Sequence, residues 1–280
     1  DFIWAAADMR TKGFLIGGTA GKTTLSGEGL QHQDGHSHLI ATSVPNLKAY
    51  DPAFSYEIAT IIHHGLIDMY EKQNDVFYYI TLENENYVHP PMIDEDIKEG
   101  IIKGVYCLKN KKLESDIYVQ LLASGPLVNE IIEARKLLKD DWNIDSILWS
   151  VTSYSELHKE AEDIRRWNIL HPESEPKKSY LEKMINSNNG PVIAVSDYVK
   201  LVSEQIAPYI NCPFVALGTD GFGRSDTREN LRDFFEVNRY YIILYAIDKL
   251  AKIGKVNKKM ISECINKYNI DLDKPNPFKI

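Results

Sequence analysis

The chain has 280 residues, of which 44% are hydrophobic, and its 40 acidic and 32 basic residues give a formal net charge of -8. This length is sufficient for a large buried core and favours about two domains. The acidic balance, without a run of lysine and arginine, argues against a nucleic-acid partner. No apolar run reaches the roughly 18 residues of a membrane-spanning helix, so no membrane segment is expected.

The three cysteines, Cys107, Cys212 and Cys264, lie far apart and show no Cys-x-x-Cys spacing. They therefore suggest neither a disulfide framework nor a thiolate metal site, and a reducing cytoplasm is the expected location. The chain opens on Asp1 without a basic segment followed by an apolar one. That opening is not a signal peptide, and we expect the chain to be the interior of a longer polypeptide.

The first third of the sequence predicts alternating helices and strands. Apolar spacing and turn residues give these elements in chain order: a helix over 2–12, a buried strand over 13–18 that feeds a Gly/Thr loop, a helix over 52–70 with Pro52 in its first turn, a strand over 76–81, and a polar linker over 83–96. The domain boundary is expected near Met92, within the linker.

The remaining sequence continues the alternation. Strands are predicted over 117–123, 144–152, 192–195 and 214–217, and helices over 127–138, 198–210, 228–235, 239–253 and 257–268. Such alternation favours open α/β sheets covered on both faces, which bind ligands beyond the carboxyl ends of their strands. The loop after Gly18 follows one of these ends.

Residues 27–38, with the sequence GEGLQHQDGHSH, place three histidines, two carboxylates and three glycines in twelve positions. Glycine permits tight turns, and histidine is the side chain best suited to move a proton near neutrality. We interpret this segment as an active-site loop in which His32, preceded by Glu28, has a direct catalytic role. For His36 and His38, hydrogen bonds to backbone carbonyls that hold the loop are the favoured interpretation.

Two competing hypotheses for this region have less support. Gly17 to Thr23 resembles a phosphate-binding loop, but Ile16 stands where the first glycine should be. The loop histidines and Asp34 could ligate a metal, but their spacing is loose and no HExxH pattern supports it. We therefore assign no metal site, and we assign no chemistry to the adjacent His63 and His64.

The segment 220–229 contains a glycine-rich turn followed by a helix start. Asp226 and Glu229 have the spacing of a capping box, with aspartate in place of serine or threonine. Arg224 and Arg228 could alternatively form an anion site. Helix capping with salt bridges is the favoured interpretation, because these residue types prefer helix N-termini.

Several long motifs, present in the same order, carry a resemblance to a known family. They are the opening DFIWAAADMRTKGFLIGGTAGKTTLSGEG, the loop GEGLQHQDGHSH, NENY at 84–87, SVTSYSEL at 150–157, RRWNILHP at 165–172 and LGTDGFGRSDTRENLRDFFEV at 217–237. Over essentially its whole length the chain resembles the homodimeric, decarboxylating pyruvate dehydrogenase component of bacterial pyruvate dehydrogenase complexes. That component belongs to the wider transketolase-like family of thiamine diphosphate enzymes.

The resemblance implies an α/β chain of two parts. Residues 1–92 would be the C-terminal half of the middle domain, a partial open sheet of the pyrimidine-binding type, and residues 93–280 a transketolase C-terminal-like α/β domain. The family binds thiamine diphosphate through Mg²⁺ at a Gly-Asp-Gly signature that this sequence lacks. The glutamate that protonates the aminopyrimidine would lie ahead of Asp1. We therefore expect a fragment without the Mg²⁺-diphosphate site, with its main cofactor determinants upstream and no turnover alone.

The implied reaction is the oxidative decarboxylation of pyruvate, with transfer of the acetyl group to the lipoyl domain of the dihydrolipoyl acetyltransferase component. His32 would contact the reacting substrate, and Glu28 would tune that histidine or the cofactor side of the pocket. Two alternatives stay open. One is a transketolase-type ketol transferase, for which Lys22, Arg224 and Arg228 are weak phosphate-binding candidates, and the other is a non-catalytic dimerisation or docking module.

Overall fold

The computed structural model describes residues 2–109 and 113–280 and contains two β-sheets. The first sheet and its surroundings comprise helix α1 (Phe2–Asp8), strand β1 (Phe14–Gly17), helix α2 (Ser37–Thr42), strand β2 (Leu47–Tyr50), helix α3 (Ser55–Leu66) with a π-helical turn (Ile67–Glu71), and strand β3 (Phe77–Thr81). Its strands are all parallel in the order β1-β3-β2. The predicted α/β class is thereby confirmed for this part.

The second sheet is larger and mixed. Its elements are α4 (Ile97–Lys103), β4 (Val105–Lys109), β5 (Tyr118–Ala123), α5 (Val128–Trp142), β6 (Asp145–Val151), α6 (Tyr154–Leu170), α7 (Tyr180–Ile185), β7 (Val192–Val195), α8 (Leu201–Glu204), β8 (Phe214–Leu217), α9 (Arg228–Phe234), α10 (Arg239–Lys252) and α11 (Lys259–Lys267). The strand order is β4-β6-β5-β7-β8, and only the β4–β6 pairing is antiparallel among these described strands.

Helices cover both faces of the second sheet, as predicted. Successive side chains of a strand point to opposite faces. In β5, Leu121 accordingly packs into a core shared with α5 and α10, whereas Leu122 packs into a core shared with α6 and α7. Burial on both faces explains why strand β7, which is buried along its whole length, is the continuous apolar run VIAV.

The two sheets meet at their carboxyl edges. Asp51, directly after β2, donates its backbone N–H to Thr152 O at 2.8 Å and accepts at its own carbonyl from Gly125 N at 3.1 Å. Ser153 Oγ, after β6, donates to Ala49 O within β2 at 2.6 Å. The loops that follow parallel strands in both sheets therefore form one shared zone, which is where α/β sheets bind ligands.

Four expectations about elements were wrong. Strand β1 is not buried, because Leu15 is 37% and Ile16 51% exposed. Helix α3 begins at Ser55, so Pro52 lies outside its first turn. The predicted helix over 198–210 is instead the single turn α8 and a separate 3₁₀ turn over Ala207–Tyr209. The loop predicted over 27–38 ends early, because α2 already begins at Ser37. Within the described residues, no helix is both long and apolar enough to cross a membrane.

Candidate active site

The loop that follows β1 is held by a carboxylate of the second sheet. Asp197, after β7, accepts hydrogen bonds from Thr23 N at 2.9 Å, from Thr24 N at 3.1 Å and from Thr24 Oγ1 at 2.7 Å. Burial raises the pKa of Asp197, while the threonine hydrogen bonds and the charge of Arg232 act to lower it. Gly21 has a φ of +77°, and a Cβ there would lie 2.3 Å from Asp197 Oδ2, so only glycine allows this close approach.

Lys22 fastens the same loop to the second sheet. Its Nζ donates to the carbonyls of Thr219 and Gly221, each at 2.6 Å, and its side chain is 5% exposed. Burial lowers the pKa of Lys22, while Asp220, Asp197 and Asp34 act to raise it. Because its ammonium already donates to two backbone carbonyls, Lys22 does not offer a contact to a phosphate. One of the residues that supported the ketol transferase alternative is thereby removed.

The segment 27–38 is internally ordered around Asp34. Asp34 Oδ1 accepts from the backbone N–H groups of His36 and Ser37 at 3.0 Å each, and Ser37 Oγ donates to Asp34 Oδ2. Tyr79 of β3 donates its hydroxyl to Ser37 Oγ at 3.0 Å. The Asp34 side chain therefore accepts hydrogen bonds from the backbone at the start of α2 and stabilises the loop. Among the described residues, it belongs to no cluster that could ligate a metal.

His32 and Glu28 lie together at the exposed side of the loop. His32 ends the 3₁₀ turn Leu30–His32, and its Nδ1 lies 3.3 Å from Glu28 Oε2. The side chains are 54% and 49% exposed, respectively. The structure thus brings together the two residues that the sequence predicted to act together. The carboxylate orients the ring at Nδ1, and Nε2 has no hydrogen-bond partner among the described residues.

Within the described part of the chain, the rings of His36 and His38 do not hydrogen-bond to backbone carbonyls, so that prediction was wrong. His38 is buried, its Nε2 lies 3.2 Å from Thr81 Oγ1, and its ring packs edge-on against Tyr198 at 4.7 Å. Burial lowers the pKa of His38, although Asp51 and Asp34 act to raise it. His36 is exposed and precedes α2 as its N-cap, without a side-chain capping bond.

The segment 220–229 packs on the histidine loop. Arg228 donates from Nε to Thr24 O at 2.7 Å, and the Arg224 guanidinium lies over the Phe234 ring at 4.9 Å. The capping prediction was off by one residue: Thr227 is the N-cap of α9 and accepts from Asn230 N, while Asp226 Oδ1 accepts from Thr227 N and Asn230 Nδ2. The anion-site hypothesis for the two arginines stays a prediction.

Sequence reasoning missed the buried polar residues that build this zone. Asp197, Asp51 and Glu83 each follow a strand that pairs in parallel with its neighbours, and that position after an apolar run was the available signal. A cavity of about 820 Å³ lies elsewhere, beneath β4 and β6, where Leu108, Ile132 and Leu148 contribute to its wall. None of the predicted site residues lines it.

Comparison with known proteins agrees with this architecture. Residues 1–90 match the pyruvate dehydrogenase E1 component middle domain, and residues 104–238 match the transketolase-like C-terminal domain. The pyruvate dehydrogenase E1 component of Pseudomonas aeruginosa is 52% identical over 279 residues, which are 99% of this chain and 32% of that protein. The component of Escherichia coli strain K12 is 49% identical over 99% of this chain and 31% of its own length.

The chain thus spans about a third of the length of the curated relatives it matches. Solved structures extend the likeness at the level of the fold. Transketolase from Campylobacter jejuni superposes with a TM-score of 0.62 at 19% identity, covering 88% of this chain and 33% of that one. A split-gene transketolase, described as an inactive β4 tetramer, gives 0.54 at 15% identity, covering 85% and 67%. The chain therefore belongs to the pyruvate dehydrogenase E1 family of transketolase-like proteins.

Proposed function

We propose that this chain is the part of a pyruvate dehydrogenase E1 component that presents His32 to the substrate. The whole enzyme decarboxylates pyruvate with thiamine diphosphate and Mg²⁺ and passes the acetyl group to the lipoyl domain of a dihydrolipoyl acetyltransferase. It acts in the cytoplasm as a homodimer. Support comes from the family matches over residues 1–90 and 104–238, and from an identity of about half, over 99% of this chain, with relatives of that name.

The observation that carries the proposal is the placement of His32. Its imidazole lies on a loop that is held where the carboxyl ends of the strands of both sheets meet. Nδ1 lies beside Glu28, and the side chain is about half exposed. An imidazole whose Nδ1–H is oriented by a carboxylate can accept a proton at Nε2 when the ring is neutral and donate one from Nε2 when the ring is protonated. We assign to His32 the hydrogen bond or proton transfer at the substrate's oxygen, and to Glu28 the orientation of the ring.

We propose that the Mg²⁺-diphosphate site lies outside this chain. Groups of three or more histidine, cysteine, aspartate or glutamate side chains with metal-binding geometry do not occur in the described part of the chain. The buried carboxylate Asp197 has its oxygens engaged with the Gly/Thr loop. We therefore place the diphosphate and metal determinants in other parts of the enzyme and assign to this chain no step that runs through them.

The test is a chimera in which this chain replaces the matching third of the Pseudomonas aeruginosa relative. We expect the chimera to decarboxylate pyruvate and to acetylate a lipoyl domain. His32→Ala should lower kcat at least about 100-fold, the usual contribution of a positioned acid–base group. His63→Ala, which removes an exposed imidazole from α3, is the matched control and should leave turnover unchanged.

Two outcomes would contradict the proposal. Unchanged turnover in the His32→Ala chimera would remove the catalytic role. A folded chimera that transfers ketol groups between sugar phosphates, but does not decarboxylate pyruvate, would replace the function with the ketol transferase alternative.

A further inference from the structure

Gln33, the residue after His32, links the histidine loop (residues 27–38) to the second part of the chain through its side-chain amide. Its Nε2 donates to Arg224 O at 2.6 Å, and its Oε1 accepts from Arg224 N at 2.7 Å. Nε2 also lies 3.4 Å from Leu25 O, and the residue is only 8% exposed. One amide thus pairs with both backbone groups of a residue 191 positions away.

The turn that carries Arg224 fits closely against the loop. A Cβ added to Gly223 would lie 2.6 Å from Gln33 Oε1 and 2.8 Å from Leu30 O, so the two backbones approach as nearly as glycine permits. Gly27 N donates to Asp226 O at 3.0 Å and extends the same contact. The 3₁₀ turn Leu30–His32 therefore rests on the turn 223–226.

The His32 side chain itself has little else to fix it. Its ring is 54% exposed, and its contact with Glu28 is a single pair at 3.3 Å between two half-exposed side chains. Exposed ion pairs of this kind fix a geometry weakly. The position of the ring is consequently set by the backbone that carries it, while Glu28 holds its orientation only weakly, and the nearest buried anchor of that backbone is the Gln33 amide.

We propose that Gln33 is a positioning residue that holds the His32 imidazole beside Glu28 by locking the loop to the backbone of Arg224. This inference rests on the proposed function. It makes the second part of the chain a direct determinant of the catalytic geometry, since displacing a reacting group by about 1 Å can cost roughly 100-fold in rate.

Two variants from opposite sides of the contact test the proposal. Gln33→Met keeps the length of the side chain but removes the amide. Gly223→Ala keeps every polar group and pushes the turn away from Gln33 and Leu30 by the added methyl. Gln31→Met is the matched control, because it makes the same chemical change at an exposed position of the same loop. Gly223→Ala keeps the test decisive if Gln33→Met fails to fold.

The first readout is independent of activity. In histidine-labelled protein, the Cε1–H resonance of His32, assigned with His32→Ala, should be a single sharp line in the parent chain and in Gln31→Met. It should broaden or split in Gln33→Met and Gly223→Ala, while the resonance of buried His38 is unchanged. A sharp, unshifted His32 line in both variants would overturn the proposal.

The second readout uses the chimera. Both variants should lower kcat by about 10- to 100-fold with the KM for pyruvate within about twofold, because the reacting group is displaced and the substrate site is not. Equal loss in Gln31→Met, or a change confined to KM, would also overturn the positioning role. If the His32 line changes but His32→Ala proves silent in turnover, the positioning stands and the proposed catalytic role of His32 fails.

Discussion

A glutamate carboxylate is buried at the start of α3 and another just after β3, and the two differ in the hydrogen bonds that they accept. Glu57, at the start of α3, accepts from Ala53 N at 2.5 Å, Phe54 N at 2.9 Å, Tyr106 Oη at 2.6 Å and Ser150 Oγ at 2.7 Å. These donors come from α3's own entry and from strands of the second sheet. Glu57 therefore joins the two parts of the chain through these four hydrogen bonds.

Glu83, after β3, has no comparable support. Both of its carboxylate oxygens are buried without a well-formed hydrogen bond among the described residues, although the Thr24 side chain acts to lower its pKa. Burial raises its pKa well above the usual value, and the charges of Asp51 and Asp197 raise it further. Burial also raises the pKa of Glu57, but there four hydrogen bonds act in the opposite direction. The comparison teaches that hydrogen-bond donors oppose the rise in pKa that burial imposes on a carboxylate.

The largest effect is expected from Glu57→Ala. It leaves four buried donors without an acceptor, and each such group costs about 1–3 kcal/mol. We expect the free energy of unfolding to fall by at least about 3 kcal/mol, measured as a lower urea midpoint at an unchanged slope. Glu71→Ala, at an exposed glutamate after α3, should change it by less than about 0.5 kcal/mol. A similar small change for both would show that the hydrogen bonds of Glu57 contribute nothing.

Asp197→Asn is the intermediate case. The amide oxygen can still accept from Thr23 N, but the amide nitrogen would face the donors of Thr24, and the attraction to Arg232 is lost. We expect a loss of about 1–3 kcal/mol in the same urea experiment. Faster backbone hydrogen exchange at Thr23 and Thr24 should accompany it. An exchange pattern identical to the parent's would contradict the role of Asp197 in holding the loop.

The smallest expected effect, of opposite sign, is that of Glu83→Gln. With its folded pKa above the ordinary value of 4.5, Glu83 contributes stability that is fully present at low pH and is lost as pH rises toward the raised pKa. Glutamine cannot ionise, so the variant should be more stable than the parent at pH 8. The expected gain is about 1.4 kcal/mol for each pH unit by which the folded pKa of Glu83 exceeds its unfolded pKa. Stability curves that run parallel between pH 4 and pH 8 would contradict this assignment.

The regular elements of the sequence predicted most of the fold. The apolar runs at 192–195 and 214–217 coincide with β7 and β8, since a strand buried on both faces needs no other signal. The helix over 198–210 failed at Pro208, which lacks an N–H and closes a 3₁₀ turn instead. Strand β4 was not predicted, because its sequence VYCLK ends in a charged residue and lies at the sheet's edge, where a continuous apolar run is not required.

The candidate site was predictable only where its contacts are local. His32 and Glu28 are four residues apart on one loop, so their proximity could be inferred from the sequence. Gln33 and Asp197 act on partners 191 and 174 positions away, and no local pattern specifies such a pairing. The glycines at 21 and 223 looked like generic loop residues, although each is needed for a close approach.

The fastening of the loop through Lys22 has a consequence for the order of folding. Its ammonium reaches carbonyls 197 and 199 positions further along the chain, so closing this contact requires both sheets to be in place. Closing a long segment of chain costs conformational entropy before the contacts at its ends can form, and this slows folding. We expect the histidine loop to acquire its native contacts after the folding transition state, with φ-values near zero for Lys22 and Gln33 truncations. The catalytic geometry would then be completed late, once the scaffold that holds it has formed.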